Sequence, residues 1–434
     1  MIKRLLSTIT FLTFFFANST CGQFENDNAS LDVLSYHLQL QPHILEKYIE
    51  GNVIINFSIN SDASEVVFNC GNLHINEIRG EVIESYIQKD QKLIIILSDK
   101  IALENEIQIF YQGSPSRGVV FNSDPLQMHT VFFTSEWMVC NDTPDDKAKV
   151  NIDLLISGNL TCIASGIFTS KEEMRGDLLK YSWSQDVGTP SYTYGFAIGT
   201  FTEFRENHNG VWLNFYSPNH SKQELESIFD KTSDMLSFFE EKSGMPYFQK
   251  SYSQVLIGNH YQEMSGFSVL KNSYGELVLK DSTETNLIAH ELAHQWWGNM
   301  ITCANWNHFW LNEGFATFMS AAYNEHRFGK AKYESNIESY YSVYEKIKNK
   351  GADKSLVFED WSSPNQDDRN LVYFKGAYVL HLLREELGDF GFWKGIKYFS
   401  RKYYGKSVTT RYLQDAMEKS TNKNLDSFFD AWVY

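Results

Sequence analysis

The hydrophobic pattern of this chain changes near residue 205, and that change limits its fold more than any other feature. Over residues 31–204 apolar and polar residues alternate, as they do around Val53 and Ile55, and a period of two is typical of half-buried strands. Beyond residue 205 the apolar residues recur at helical spacing. The sequence therefore predicts an α+β protein, with a mostly antiparallel β domain at 23–205 and a mainly helical domain at 206–434.

The start of the chain has the layout of a secretory signal peptide. A short basic stretch precedes an apolar run at 5–17, which is too short to span a bilayer as a helix. Small and polar residues follow, so we expect residues 1–22 to be removed on export to the periplasm or the cell exterior. Cleavage after Ser19 is an alternative, and Cys21 leaves open a lipid-anchored form.

Charge and cysteine content limit the partners of the exported chain. Acidic residues outnumber basic ones by 54 to 38, which gives a net charge of −16. With no basic run, such a chain is a poor candidate for binding nucleic acid or an anionic membrane. The sequence has no second long apolar run, so we expect no stable membrane insertion once the signal is removed. Removal of the signal leaves four cysteines, which either form disulfides or stay as buried thiols: Cys70, Cys140, Cys162 and Cys303.

Two helices of the second domain have recognisable ends in the sequence. Ser221 and Glu224 form a capping box, and the apolar stripe that follows is predicted to run as a helix to Gly244. A later helix is predicted to begin after a cap at 281–284 and to continue to Trp297. That second helix carries the residues with the clearest chemical pattern.

A His-Glu-x-x-His pattern lies on the predicted helix. His290 and His294 are four residues apart, so both imidazoles project from one face and can bind a single zinc ion. Glu291 lies too far round the helix to be a comfortable third ligand, but it can act on a water molecule as a general base. Glu313 follows in the first turn of another predicted helix and is the candidate third ligand.

These motifs resemble the aminopeptidase N family of zinc metallopeptidases, the gluzincins. HELAHQWWGN at 290–299 and HFWLNEGFATF at 308–318 carry the resemblance, and the second is most similar to the leukotriene hydrolase branch. Further segments of the chain also resemble family motifs: Cys140–Pro144 with Lys147 and Ala148, Pro190–Gly199, Tyr373–Gly376 and Leu425–Trp432. The resemblance covers about residues 30 to 434 and implies a thermolysin-like zinc-peptidase domain after the β domain.

The resemblance also implies a role for each matched residue. His290, His294 and Glu313 would hold one zinc ion per chain, and Glu291 would activate the attacking water. Tyr373 would donate a hydrogen bond to the oxyanion of the tetrahedral intermediate, which relieves the developing charge.

The family's Gly-x-Met-Glu-Asn motif, whose glutamate binds the free α-ammonium of the substrate, is altered here. Glu263 is retained, and Gly266 keeps its spacing, so both are candidate substrate-binding residues. The family's Gly, Met and Asn are replaced by His260, Gln262 and Met264. These replacements change the frame that holds the carboxylate.

The sequence thus predicts an exported zinc aminopeptidase that uses zinc-activated water on the N-terminal bond of peptides. A zinc endopeptidase, an epoxide hydrolase as in the leukotriene branch and a non-catalytic peptide-binding module are the alternatives. Family members usually carry a further C-terminal helical domain, whereas this sequence ends at Tyr434. We therefore expect a more open cleft with weaker selection on peptide length. The sequence does not predict an oligomeric state.

Overall fold

The computed structural model describes residues 31–60, 63–358, 361 and 363–434, so the predicted signal segment lies outside the described residues. The N-terminal part is built from strands. Their bounds are β1 Asp32–His43, β2 Tyr48–Ser58, β3 Glu65–Asn69, β4 His74–Arg79, β5 Ile83–Lys89, β6 Lys92–Leu97, β7 Glu104–Gly113, β8 Val119–Ser123, β9 Leu126–Thr130, β10 Lys147–Ser157, β11 Thr161–Ala164, β12 Ile167–Glu173, β13 Leu178–Pro190 and β14 Phe196–Gly199.

These strands form three sheets around one apolar core. The largest has the order β12-β13-β10-β1-β2-β7-β4, and the others are β11-β14-β9-β8 and β3-β6-β5. In the largest sheet β1 and β10 pair in parallel, and the other pairs are antiparallel. Val53 and Ile55 of β2 are fully buried in the core. The predicted β-rich N-terminal domain is therefore confirmed.

The second part contains most of the helices. Its elements are β15 Thr202–His208, β16 Val211–Ser217, α1 Lys222–Ile228, α2 Thr232–Ser243, β17 Ser251–Leu256, β18 Gln262–Met264, β19 Phe267–Leu270, α3 Tyr274–Lys280, α4 Asn286–Ala293, β20 Thr302–Cys303, α5 Trp310–Phe328, α6 Lys330–Asn349, α7 Gln366–Asn370, α8 Gly376–Tyr403, β21 Ser407–Val408, α9 Thr410–Thr421 and α10 Asp426–Trp432. A π-helical turn at Leu371–Lys375 joins α7 to α8, and α8 is broken at Gly388.

A five-stranded sheet joins the two parts of the molecule. Its order is β15-β16-β17-β19-β18, with β16, β17 and β19 parallel and the short β18 antiparallel at one edge. Helix α4 packs against β18 and β19. The predicted boundary at residue 205 falls inside β15, and its position stays a prediction.

The predicted helix from Ser221 to Gly244 is in fact two helices. The capping box forms as expected, and Gly244 ends α2 in the left-handed region. Between them the chain turns at Phe229, whose ring stacks on Phe215 of the sheet with centroids 4.5 Å apart. The predicted single helix is wrong because this turn, and not a continuous helix, directs the aromatic ring onto the sheet.

The helix that carries the histidines is shorter than predicted at both ends. Asp281 accepts a hydrogen bond from the Thr283 N–H, which closes a separate turn before α4 begins at Asn286. At the other end, the Gln295 N–H bonds to the Leu292 carbonyl, three residues back, so the regular helix ends at Ala293. The prediction that this helix runs from its 281–284 cap to residue 297 is wrong for these reasons.

Two expectations from composition can be compared with the described residues. None of the described helices is both long enough and apolar enough to cross a membrane. The four cysteines of the described residues are buried free thiols, so of the two alternatives for these side chains the structure shows the thiols.

Candidate active site

Three side chains, two of them buried and one partly buried, converge on one point from two helices. His290 lies in α4, His294 is its C-cap residue, and Glu313 lies in the first turn of α5. The two histidine Nε2 atoms are 3.0 Å apart. Oε2 of Glu313 lies 3.3 Å from Nε2 of His290 and 3.4 Å from Nε2 of His294. The structure therefore brings together the three ligands that the sequence predicted.

The start of α5 is fixed by contacts that orient its first turn. The Asn312 carboxamide accepts a hydrogen bond from the Cys303 N–H and donates one to the Tyr192 hydroxyl, each at 3.0 Å. Farther along, the rings of Trp297 and Phe315 stack with centroids 6.0 Å apart. These contacts hold the carboxylate of the neighbouring Glu313 toward α4.

The donor set fits a zinc ion. Zinc binds imidazole and carboxylate atoms at about 2.0–2.2 Å in a tetrahedral arrangement, which places adjacent ligand atoms about 3.3–3.6 Å apart. The three observed separations, 3.0, 3.3 and 3.4 Å, are close to that spacing. Oε2 of Glu313 is also buried without a hydrogen-bond partner. A buried acceptor of this kind is expected where a cation binds.

Outer contacts orient both imidazoles for this role. Nδ1 of His294 lies 3.0 Å from the Trp297 carbonyl oxygen, and Nδ1 of His290 lies 3.5 Å from the Thr317 hydroxyl. The neutral form of His294 with its proton on Nδ1 is the one whose Nε2 lone pair faces the centre and can bind a metal ion. Thr317 lies one helical turn after Glu313, so α5 supplies both a ligand and an outer partner.

A second group of donors lies beside the first. Carboxylate atoms of Glu263 and Glu291 and a ring nitrogen of His294 lie within 4.8 Å of one another. Each of these carboxylates has one buried oxygen without a hydrogen-bond partner. Burial raises the pKa of Glu263 to about 7 and holds that of Glu291 well above its ordinary value. Two such carboxylates favour a bound cation.

The three predicted zinc ligands also perturb one another. Burial lowers the pKa of His290. Burial alone would lower the pKa of His294, but the charges of Glu313 and Glu263 outweigh it and raise the pKa to about 10. For Glu313 the opposite holds: burial would raise its pKa, but the adjacent imidazoles lower it to about 2. The centre is thus a region of strong charge interaction in a low-dielectric interior.

Tyr373 reaches this centre from the π-helical turn. Its ring stacks on the His290 ring with centroids 5.8 Å apart and planes 13° from parallel. Burial, followed by the charge of Glu313, holds the pKa of the Tyr373 phenol well above its usual range. The hydroxyl is therefore a hydrogen-bond donor near neutral pH. Single π-helical turns within helices are often found at functional sites.

Two glycines allow the helices that carry these residues to approach closely. A Cβ on Gly314 would lie 3.0 Å from Cα of Gly376, so the backbones of α5 and α8 meet almost directly. Gly314 follows Glu313, and Gly376 follows the turn that contains Tyr373. The absence of side chains at this contact brings the tyrosine next to the zinc donors.

The residues that replace the family motif around Glu263 make ordered contacts of their own. Gln262 donates a hydrogen bond from Nε2 to the Tyr192 carbonyl oxygen at 3.1 Å, and its Oε1 accepts one from the Phe132 N–H. Met264 completes β18, which pairs with β19. The replaced residues thus still form an ordered strand that presents Glu263.

Gly266 lies in the turn that follows β18. Its φ of +83° is in the left-handed region, and a Cβ would lie 2.7 Å from the Gln249 Oε1 atom. Its N–H donates to Gln295, and its carbonyl accepts from the Ser253 N–H. Both backbone groups are used within the protein, so these contacts give Gly266 a role in the turn. Its contact with substrate stays a prediction.

Sequence reasoning missed several residues that support the site. Gln295 bonds to the strand that carries Glu263, Thr317 contacts His290, and Gln262 ties β18 to the β domain. Gln295 directly follows a predicted ligand, and Thr317 lies one turn from another, so their positions next to the ligands are the signal that marks them. The partners of Gln262 are about 70 and 130 residues away in sequence and left no local signal.

An antiparallel β domain, a mainly helical domain and a His-Glu-x-x-His centre with a distant glutamate define a metallopeptidase of the gluzincin class. The profile of the Peptidase M1 N-terminal domain matches residues 33–193, and that of the Peptidase family M1 domain matches residues 227–432. The chain belongs to the M1 peptidase family.

Several curated proteins are similar in sequence. Aminopeptidase N of Lactococcus lactis is 25% identical over 462 residues, which cover 90% of this chain and 51% of that protein. Glutamyl aminopeptidase of Rattus norvegicus is 27% identical over 312 residues, which cover 68% of this chain and 32% of that protein. The chain therefore spans about a third to a half of the length of these curated relatives.

Solved structures support the fold. The M1 zinc metallopeptidase of Deinococcus radiodurans, as a variant bound to a Tyr-Ser-Ala substrate, superposes with a TM-score of 0.79 at 21% identity. The match covers 93% of this chain and 94% of that chain. A structure described as a two-domain M1 zinc metallopeptidase, bound to L-tryptophan, also gives a TM-score of 0.79, with 94% and 95% covered.

Proposed function

We propose that this protein is an exported zinc aminopeptidase that removes the N-terminal residue of peptides. The observation that carries the proposal is the buried carboxylate of Glu263, which has one oxygen without a hydrogen-bond partner and lies within 4.8 Å of donor atoms of Glu291 and His294. A carboxylate there suits the α-ammonium of a peptide. An ammonium bound at that position presents the first peptide bond, and no later one, to the neighbouring centre.

His290, His294 and Glu313 are the residues that would hold the metal. The chemistry that zinc supplies when bound is Lewis acidity toward a peptide carbonyl and toward water. These three side chains leave the side that faces Glu291 and Glu263 for substrate and water. An arrangement of three protein ligands with one open position is typical of catalytic zinc sites.

Two further residues move or hold protons in the proposed reaction. Glu291 takes a proton from the attacking water and delivers it to the nitrogen of the departing amine, so the carboxylate is regenerated after the peptide bond breaks. The hydroxyl of Tyr373, beside His290, donates a hydrogen bond to the oxygen on which negative charge develops. Glu263 holds the substrate ammonium throughout and exchanges no proton.

Export is proposed from the sequence alone. The basic start and the apolar run at 5–17 support secretion with removal of residues 1–22. The test is to express the full chain in a Gram-negative host and to determine the N-terminus of the protein from the periplasm and the medium. A mature N-terminus at Gln23 or Thr20 supports export, and an acylated Cys21 would indicate the lipid-anchored form. Intact protein in the cytoplasm would contradict both.

The aminopeptidase proposal is tested with one fluorogenic peptide in two forms, with its N-terminus free and acetylated. Protein without residues 1–22 is assayed as purified, after chelation, and after zinc is restored. We expect the free peptide to be cleaved far faster than the acetylated one, with both rates lost on chelation and recovered with zinc. Equal hydrolysis of both forms would indicate an endopeptidase, and no hydrolysis of either form by the zinc-loaded protein would favour a binding module.

A further inference from the structure

We propose that Gln295 is a positioning residue that fixes the amine-binding strand β18 at a set distance from the zinc ligands. This inference rests on the proposed aminopeptidase function and deepens it. Gln295 directly follows His294 and is fully buried. Its Nε2 donates to the Met264 carbonyl at 3.0 Å, and its Oε1 accepts from the Gly266 N–H at 3.1 Å.

The position of β18 in the sheet explains why such a contact is needed. The strand has three residues and lies at the edge of its sheet, where it pairs with β19 on one side. So short a strand with one neighbour is weakly fixed by its ladder alone. Glu263, at its centre, would then move relative to the zinc donors unless the end of the strand were also held.

The carboxamide of Gln295 holds the end of β18 and the turn that follows it. The Met264 carbonyl belongs to the last residue of the strand, and the Gly266 N–H lies two residues further on, in the turn. A carboxamide has one acceptor and one donor group that match this pair. Neither a carboxylate nor an apolar side chain of the same length offers both.

Other contacts hold the same segment, but from different elements. The Asn299 side chain donates to the Met264 carbonyl at 3.4 Å, and the Ser265 N–H donates to the Thr193 carbonyl at 2.7 Å. These bonds keep the segment folded when Gln295 is changed. Among Gln295, Asn299 and Thr193, only Gln295 is adjacent in sequence to a predicted zinc ligand. Its two bonds therefore fix the position of Glu263 relative to that of His294.

The test measures the ratio of kcat/KM for a free peptide to that for its acetylated form. Gln295→Met removes both hydrogen bonds at nearly constant volume, and we expect the ratio to fall about tenfold, since small misplacements of a positioned group have effects of this size or more. Zinc content should stay at one ion per chain. The matched control is Gln414→Met, which removes a buried glutamine of α9 that bonds to Glu418 and Asp426; this variant should keep the wild-type ratio.

The same substitution in a Glu263→Gln background separates positioning from a general structural defect. If Gln295 acts through Glu263, adding Gln295→Met to Glu263→Gln lowers the ratio no further. An unchanged ratio in Gln295→Met alone, or an equal loss on both peptides, would overturn the inference. Gln295→Glu, which keeps the acceptor for Gly266, gives the same comparison should the methionine variant not fold. A wild-type protein without preference for the free peptide would instead refute the proposed function.

Discussion

The zinc side and the amine side of this site are assembled in different ways. His290, His294 and Glu313 come from two packed helices of one domain and lie within 23 residues of each other in sequence. Glu263 comes from a three-residue edge strand, which is held through side-chain and backbone bonds by Gln295, just after α4, and by residues of the β domain.

This difference predicts how substitutions on each side should behave. Every substrate must meet the zinc side, so a change there should lower the rate on all peptides alike. In the proposed function the amine side contacts only a free α-ammonium, so a change there should lower the preference for free peptides and leave acetylated ones unaffected. Comparing the two peptide forms therefore tests which side of the site a residue belongs to.

The largest effect is expected for Glu291→Gln. The amide cannot take the proton from water, and loss of a general base lowers rates by about a hundred- to ten-thousandfold. We expect kcat to fall about a thousandfold on any substrate the wild type cleaves, with zinc content unchanged because Glu291 is not a ligand. Loss of zinc from this variant would mean that Glu291 belongs to the metal-binding set itself.

A smaller and more selective effect is expected for Glu263→Gln. Replacing the buried carboxylate removes the charge that binds the ammonium, and breaking such a pair costs roughly 2–5 kcal/mol. We expect kcat/KM on the free peptide to fall about a hundredfold while the value on the acetylated peptide stays within about threefold. If both values fell together, Glu263 would act on the zinc side, and the contrast between the two sides would not hold.

The zinc side could be predicted from sequence because its determinants are local. The four-residue spacing of His290 and His294 fixes one helix face, and a helical stripe places Glu313 near it. The two histidines lie together although the ends of their helix were predicted wrongly, because His294 at the C-cap still projects toward His290. Errors of a few residues in the bounds of a helix did not affect the geometry of its ligands.

The amine side could be predicted only in part. Glu263 was identified by its place in an altered motif, but its supports are the carbonyl of Tyr192, the N–H of Phe132 and the carboxamide of Gln295. These are long-range contacts without a sequence period. The π-helical turn of Tyr373 was likewise not predicted, and the close contact of two glycines beside it joins helices that are far apart in sequence.

That contact yields the third prediction, in which Gly376 becomes alanine. The new methyl group would lie 3.0 Å from Cα of Gly314 and must push the helices apart, which moves Tyr373 away from the zinc donors. We expect kcat to fall about tenfold on free peptides, with the free energy of unfolding reduced by about 1–3 kcal/mol. Acetylated peptides, where any cleavage is measurable, should show the same proportional loss.

Gly391→Ala is the matched control on the same helix. A Cβ there meets its nearest neighbours at 3.5 Å, an ordinary contact, and alanine is the better helix former by up to about 1 kcal/mol. This control should keep full activity and equal or greater stability. Equal activity of the two variants would show that the close approach does not position the tyrosine.

The smallest effect is expected at a contact by which the β domain also reaches the zinc side. Lys147 of β10 donates from Nζ to the Asn299 and Met300 carbonyls at 2.8 and 3.2 Å and to the Thr302 hydroxyl. These acceptors follow the zinc helix, where a cation favours the exposed carbonyl ends. Lys147→Met should lower the free energy of unfolding by about 1 kcal/mol, measured by denaturant titration.

Lys149→Met supplies the comparison, because Lys149 is an exposed residue of the same strand and its loss should change stability by less than about 0.5 kcal/mol. Both variants should keep the wild-type ratio of free to acetylated hydrolysis, since neither residue contacts β18. A Lys147→Met protein that bound zinc more than about tenfold more weakly would show that the zinc side also depends on the β domain. In that case only the positions of the ligands themselves would be determined by local sequence, and both sides of the site would depend on the β domain.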